Sequence, residues 1–198
     1  MMERLKRMSQ IDDLPHVVIT SRADWRAWLV ANHSQAEGAW VVTYKKHCGD
    51  RHVAWPEIVQ ESLCFGWIDG RTRRVDEDRV KRHVSPRKSG SIWSALNKRH
   101  VAELQQSGLM TPAGQRLIDA AKADGSWTFL DDIDALFEPD DLRAALDASP
   151  AARATWDDTK PSDLKRALYH VKTAKRPDTR ARRIEQIVER MARGELPV

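Results

Sequence analysis

The stretch WIDGRTRRVDEDRVKRHVSP, residues 67–86, decides the fold that the sequence predicts. Two runs with alternating side chains, Trp67–Val75 and Arg79–Val84, flank the acidic residues 76–78, and Pro86 ends the second run. Alternation on both sides of a short polar turn is typical of a β-hairpin. The hairpin therefore predicts a small antiparallel sheet in the N-terminal part of the chain.

The segments before the hairpin predict two helices and a further strand. Ser21 resembles an N-cap for a helix over residues 22–33. The β-rich run Ala39–Tyr44 predicts a short buried strand. Pro56 suits the first turn of a second helix, and Gly66 is placed to end it.

The chain after the hairpin predicts only helices. Ser91 is a candidate cap for the first of them, and Thr111-Pro112 opens the next. Beyond an acidic joint at residues 124–134, four short helices are predicted at about 139–147, 150–157, 161–174 and 178–193. The last has an apolar stripe formed by Ala181, Ile184, Ile187, Val188 and Met191. We therefore expect an α+β fold, with a mixed domain over residues 1–125 and a helical domain over 138–198.

Composition excludes several classes of protein. Hydrophobic residues make up 41% of the 198 positions, which suits a globular chain with a buried core rather than a disordered one. Apolar runs of only a few residues predict no membrane span, and the N-terminal residues lack the pattern of a secretory signal. With Cys48 and Cys64 expected as free thiols, we expect a cytoplasmic protein.

Tryptophan is unusually frequent, with eight residues in the chain. They are Trp25, Trp28, Trp40, Trp55, Trp67, Trp93, Trp127 and Trp156. Such large rings bury much apolar area, and their N–H groups need acceptors when buried. Because large apolar pockets are few in any protein, we expect most of these rings to build the core and at most two or three to line a pocket.

Several ordered motifs resemble one known family. They are CFGWIDG (64–70), SPRK (85–88), SIWSALN (91–97), GLMTPAG (108–114) and ADGSW (123–127). Together they are similar to the YdeI/OmpD-associated, or bacteriocin-protection, family. The stretches at 137–158 and 174–195 resemble the small helical domain of that family. Several motifs in matching order are more specific than one short pattern.

The resemblance implies a cytosolic bacterial protein whose relatives are linked to bacteriocin tolerance, antimicrobial-peptide resistance and association with outer-membrane porins. It implies no established reaction, cofactor or catalytic residue. The leading hypothesis is therefore a non-enzymatic binding protein in envelope stress or antimicrobial-peptide tolerance. Its expected partner is another protein or a small anionic ligand.

The hairpin also suggests a candidate site. With residues 76–78 as the turn, Asp69 is expected opposite Ser85 or Pro86, which makes Arg87 a diagonal neighbour within reach of its carboxylate. One interpretation is a structural ion pair that fixes the hairpin to the next helix. The other is a polar pocket of a small-molecule enzyme or ligand-binding protein. That candidate pocket consists of Trp67, Asp69, Arg87, Trp93, Ser94 and Asn97.

The hairpin is strongly basic as well. Its predicted basic face consists of Arg71, Arg73, Arg74, Lys81 and Arg82. A basic two-stranded ribbon can follow a phosphate backbone, so nucleic-acid binding is a weaker alternative function. The other interpretation is a solvated cationic face, which we prefer because the segment has no recognised nucleic-acid fold.

The sequence contains no complete motif for binding a metal or a cofactor. Cys48 and His52, with His47 beside them, could ligate zinc, but no second cluster at a suitable spacing completes four ligands. The sequence contains no phosphate-loop pattern, no dinucleotide-binding glycine pattern and no nucleophile elbow. We therefore predict no metal site and no cofactor, and we assign no catalytic residue.

Overall fold

The computed structural model describes residues 11–34 and 37–198, which divide into two compact units with the boundary between Trp127 and Thr128. The first unit combines a sheet with helices. Its elements are β1 (His16–Val18), α1 (Arg22–Asn32), β2 (Ala39–Tyr44), a 3₁₀ turn (Lys46–Arg51), α2 (Trp55–Cys64), β3 (Trp67–Arg74), β4 (Arg79–Pro86), α3 (Ala95–Gln106) and α4 (Pro112–Asp124). The α+β prediction is confirmed.

The sheet of the first unit is mixed rather than purely antiparallel. Its strand order is β1-β2-β4-β3, and β3 and β4 form the predicted hairpin. The edge strand β1 pairs with β2 in parallel, with Val17 beside Val41. The sequence did not predict β1, because three residues are too few to show a period-two pattern.

A bulge in β3 sets the register of the hairpin. Near the turn, Thr72 pairs with Arg82, but beyond an irregularity between Asp69 and Thr72 the partner of Asp69 is Val84. The expectation that Asp69 faces Ser85 or Pro86 is therefore wrong. The bulge places one extra residue in β3, which shifts the pairing of every residue beyond it.

Caps explain where two of the helices begin. Ser21 and Asp24 form a capping box, which confirms the predicted start of α1 at Arg22. The cap of α3 is Ser94, whose hydroxyl accepts a hydrogen bond from the backbone N–H of Asn97 at 3.2 Å. The prediction of Ser91 as the cap is wrong, because residues 87–93 remain a loop in which Ser91 accepts a bond from Arg87.

Tryptophan rings form the centre of the first core. Trp25 stacks on the partly buried Trp28 with 5.0 Å between ring centroids, and Trp67 meets both rings edge to face. The indole N–H of Trp25 donates to the hydroxyl of Ser62 at 3.0 Å, and that of Trp67 donates to the carbonyl of His33 at 3.2 Å. These bonds satisfy the polar atom of each ring inside the core. With Trp40, Trp93 and Trp156 also buried, the prediction that most tryptophans are core residues is confirmed.

The second unit is all-helical, as predicted. Its elements are α5 (Asp131–Asp134), α6 (Asp140–Asp147), α7 (Pro150–Asp157), α8 (Pro161–Lys172) and α9 (Pro177–Ala192). Its core packs Leu142 and Leu146 against Trp156, Ile187 and Met191. Over the described ranges 11–34 and 37–198, no helix has an apolar stretch long enough to cross a membrane.

Candidate functional site

The six residues predicted to form one pocket are divided among different environments. Trp67 is 1% exposed and belongs to the tryptophan core. Ser94 caps α3, because its hydroxyl accepts a hydrogen bond from the backbone N–H of Asn97. These three residues therefore have structural positions, and the chemistry of the region depends on Asp69, Arg87 and Trp93.

Asp69 pairs with a different arginine from the one that the sequence suggested. Its carboxylate lies 3.4 Å from Nη1 of Arg82, and both side chains are partly exposed. No ion pair connects Asp69 to Arg87 among the described residues. The bulge explains the difference, because it gives Asp69 a different cross-strand position from the one that uninterrupted pairing would give.

Arg87 is the unusual residue of this region. Its backbone N–H bonds to the carbonyl of Gly66 at 2.9 Å, which fixes the residue just beyond β4. The guanidinium carbon lies 3.7 Å from the ring centroid of Trp93, a cation–π contact. Nη1 makes only long bonds of 3.4 Å to the carbonyls of Ser91 and Ile92.

The remaining nitrogens of Arg87 have no acceptor. Arg87 is 6% exposed, and within the described part of the chain its Nε and Nη2 lack a hydrogen-bond partner. Burial lowers the pKa of Arg87 to about 10, and the nearby charge of Asp69 only partly opposes this effect. A buried cation with free donors is costly, so an arrangement of this kind marks a candidate site for an anion.

A small cavity adjoins this guanidinium. It has a volume of about 40 Å³, and its lining includes Arg87, Trp93 and Lys88. The other polar residues of its wall are Ser89, Ser91, Asp124 and Ser126. A space of this size accommodates one or two water molecules or one small anionic group. Asp69, Ser94 and Asn97 do not line it.

The predicted basic face is not a single surface. Arg73 and Lys81 lie over the ring of Trp40, at 5.1 and 4.6 Å from its centroid. Arg82 is adjacent to Lys81 and so points to the opposite face, where its guanidinium carbon lies 3.7 Å from the ring centroid of Trp55. The cations of the hairpin are thus divided between two faces. This division weakens the nucleic-acid hypothesis, which stays an untested prediction.

The second unit has a groove that the sequence analysis did not identify. Helices α6 and α9 line an open groove of about 1070 Å³. Its apolar residues are Ala145, Ala181, Ile184 and Val188. On α9, Ile184, Ile187 and Met191 are buried. Ala181 is exposed at the groove, and the partly buried Val188 both packs against the core and lines the groove. The sequence carries no signal for this groove, because an apolar stripe of this width is usual for a helix with one packed face.

The rim of this groove is acidic. Asp178, Glu185 and Glu189 are exposed there, together with one exposed guanidinium, that of Arg182. A second arginine at the rim is neutralised within the unit, because Arg180 makes two hydrogen bonds of 2.6 and 2.7 Å to Asp141. The groove therefore combines an apolar floor with an excess of negative charge.

Two family models match different parts of the chain. Residues 17–117 match the model of a domain of unknown function, DUF8412, over just over half of the chain. Residues 137–194 match the family described as "Bacteriocin-protection, YdeI or OmpD-Associated" (OmdA). No curated protein and no solved structure matches the chain.

The family resemblance is thus confirmed over the C-terminal helices. The motifs at 64–70, 85–88, 91–97 and 108–114, which also suggested that family, fall instead within the DUF8412 match. The groove between α6 and α9 lies within the OmdA match, and the guanidinium of Arg87 lies within the DUF8412 match. The chain belongs to the DUF8412 family, and its residues 137–194 are similar to the OmdA family.

Proposed function

We propose that this protein is a non-enzymatic binding protein that contributes to tolerance of bacteriocins or other antimicrobial peptides. In this proposal the groove between α6 and α9 binds a cationic, amphipathic peptide. The observation that carries it is an apolar groove with an acidic rim inside the region that matches the bacteriocin-protection family.

The apolar floor and the acidic rim of the groove both suit such a peptide. An amphipathic helix binds by laying its apolar face in an apolar groove, and here Ala181 and Val188 offer accessible apolar surface. Basic side chains on the other edge of the peptide would meet the carboxylates of Asp178, Glu185 and Glu189. Complementary charge of this kind speeds encounter and selects cationic partners over anionic ones.

A direct binding experiment tests the proposal. A fluorescently labelled cationic amphipathic peptide is titrated with the full chain, and the fluorescence anisotropy is recorded. The double variant Glu185→Lys/Glu189→Lys reverses the rim charge, so we expect at least a tenfold weaker affinity. Added salt should weaken the wild-type complex as well, because exposed charges are screened.

The matched control changes net charge equally at residues that do not line the groove. Glu77 and Asp119 are exposed acidic residues of the first unit, and the variant Glu77→Lys/Asp119→Lys should bind as the wild type does. If both double variants bind the peptide equally weakly, net charge explains the loss, and binding in the groove is contradicted. Absence of any wild-type binding would contradict the whole proposal.

The cellular part of the proposal has its own test. Expression of the wild-type chain in a peptide-sensitive bacterium should raise the inhibitory concentration of the peptide, and the rim-reversed variant should not. We assign the protein to the cytoplasm as part of this proposal, because Cys48 and Cys64 are free thiols that suit a reducing compartment. Recovery of the chain in another cell fraction would contradict that assignment.

A second candidate function rests on Arg87. We propose that its guanidinium binds one small anionic group, such as a carboxylate or phosphate, at the cavity beside Trp93. Arginine suits this role because its planar fork of N–H donors matches oxyanions. The support is a buried cation whose Nε and Nη2 have no acceptor among the described residues.

Thermal shift measurements with formate, acetate and phosphate test this second function. The wild type should be stabilised by at least one of them, and Arg87→Met should lose that response. Arg71→Met removes an exposed arginine of the hairpin and should keep it. An equal response of both variants would show that the anion acts elsewhere on the surface.

A further inference from the structure

The loop after β2 is held firmly against the tip of the hairpin. The backbone N–H of Lys45 donates to the carbonyl of Asp78 at 2.7 Å, and its ammonium donates to the carbonyl of Asp76 at 3.1 Å. The backbone N–H of Cys48 donates a hydrogen bond to the carbonyl of Lys45 at 2.9 Å, at the start of the 3₁₀ turn Lys46–Arg51. Two segments that are distant in sequence are thereby fixed side by side.

Three metal-ligating side chains converge at this junction. Nε2 of His47 lies 2.9 Å from a carboxylate oxygen of Asp78. One donor atom each from His47, Cys48 and Asp78 lies within 4.8 Å of the other two. Within the described residues, this is the one cluster in which three or more histidine, cysteine or acidic side chains come so close together.

We propose that His47, Cys48 and Asp78 form a zinc site with three protein ligands and one open position. Imidazole nitrogen, thiolate sulfur and carboxylate oxygen are the ligand types that zinc uses in proteins. Three ligands leave the fourth tetrahedral position for water or a ligand from outside. The inference is independent of the groove in the second unit and of the cavity at Arg87.

The observed spacing fits a tetrahedral ion after small rotations. Ligands at zinc bond lengths of about 2.0–2.3 Å lie about 3.3–3.6 Å apart in a tetrahedron. The distance of 2.9 Å between His47 and Asp78 is shorter than this, and the three donor atoms lie within 4.8 Å of one another. His47 and Asp78 are exposed and Cys48 is partly exposed, so their side chains can rotate without disturbing a core.

The backbone holds Asp78 in place for this role. Its N–H donates to the carboxylate of Asp76 at 3.0 Å, and Arg79 bonds to that same carboxylate. His52 is not part of this cluster of donor atoms, and its Nδ1 lies 2.8 Å from the carbonyl oxygen of Tyr44. On metal binding, the proton of the Cys48 thiol is released to solvent and the thiolate coordinates the ion.

Cobalt binding tests the site directly, because Co²⁺ takes the same ligands as zinc and absorbs visible light. Titration of the full chain with Co²⁺ should produce the strong bands of four-coordinate cobalt together with a thiolate-to-cobalt charge-transfer band. We expect Cys48→Ser to lose the charge-transfer band. We expect His47→Asn and Asp78→Asn each to weaken zinc binding at least tenfold in competition with a chromophoric chelator.

Two control variants keep the test specific. His52→Asn removes a histidine of the same loop, and Cys64→Ala removes the other thiol, which is buried in the core. Both should bind zinc with wild-type affinity. Wild-type binding no tighter than that of Cys48→Ser, or a six-coordinate cobalt spectrum without a thiolate band, would overturn the proposal.

Protection of the thiol gives a second readout that does not depend on the folding of any variant. Zinc should slow alkylation of Cys48 in the wild-type chain at least tenfold, measured by mass spectrometry of the peptide that contains it. Magnesium, which prefers oxygen ligands, should not slow it. An alkylation rate that zinc leaves unchanged would contradict thiolate coordination.

Discussion

Two charged groups, Glu138 of the second unit and Arg87 of the first, are satisfied to very different extents. In the second unit, Glu138 receives hydrogen bonds from both terminal nitrogens of Arg153, at 2.8 and 2.9 Å, and from the indole N–H of Trp156 at 2.7 Å. In the first unit, the guanidinium of Arg87 lies over Trp93 with no carboxylate within ion-pair distance among the described residues. The carboxylate is fully partnered, whereas the cation is not.

The pKa values follow this difference. The hydrogen bonds from Arg153, with a further bond from Trp156, hold the pKa of the Glu138 carboxyl below its usual range. Burial instead lowers the pKa of Arg87 and raises that of Cys64, so burial disfavours the charged forms of these two groups. A satisfied charge contributes to folding, whereas an unsatisfied one costs stability and is available to a ligand.

The largest effect is expected from breaking the satisfied network. Glu138→Ala leaves Arg153 and Trp156 without their acceptor and should lower the free energy of unfolding by about 3 kcal/mol. Arg143→Ala is the control, because Arg143 lies 4.0 Å from Glu138 and is 46% exposed. The control should change stability by about 0.5 kcal/mol at most. Hydrogen exchange of residues 138–157 during urea titration measures both, and equal effects would contradict the comparison.

A smaller effect is expected in alkaline solution from Cys64. Burial raises the pKa of this thiol to about 11 from its usual 9.0, so the unfolded chain loses the proton first. Stability should therefore be complete below about pH 9 and fall by about 2–3 kcal/mol as the pH rises towards 11. Urea unfolding across this range measures the loss. Cys64→Ala should remove that part of the pH dependence, whereas Cys48→Ala should retain it.

The smallest effect is a gain of stability from removing the unsatisfied cation. Arg87→Met keeps most of the side-chain volume and removes a buried charge without an acceptor, so unfolding should cost about 1 kcal/mol more. Arg71→Met, at an exposed position, should stay within about 0.5 kcal/mol of the wild type. Urea unfolding of the two variants compares them. A loss of stability in Arg87→Met would identify the guanidinium as a structural brace rather than a binding group.

Local patterns predicted most elements of this fold. The cap at Ser21, the proline-initiated helices and the alternating hairpin strands each depend on residues a few positions apart. The three-residue strand β1 escaped prediction because it pairs with β2 across the whole of α1. The cap of α3 escaped because Ser91 and Ser94 both suit that role, and only the loop around Arg87 decides between them.

The candidate sites depended more on tertiary structure. Arg87 and Trp93 were predicted to lie together, and they do, because only a short loop separates them. The partner of Asp69 was mispredicted, since one bulge in β3 changes the pairing. Asp78 could not be recognised as a neighbour of His47, because thirty-one positions of the chain separate them.

The sequence by itself determined the α+β class, the tryptophan core and the helical C-terminal region, because period, caps and apolar content act locally. Only the tertiary structure decided which charges are satisfied. The register of a strand and the approach of two loops depend on packing over long separations, and a shift of one residue exchanges one ionic partner for another.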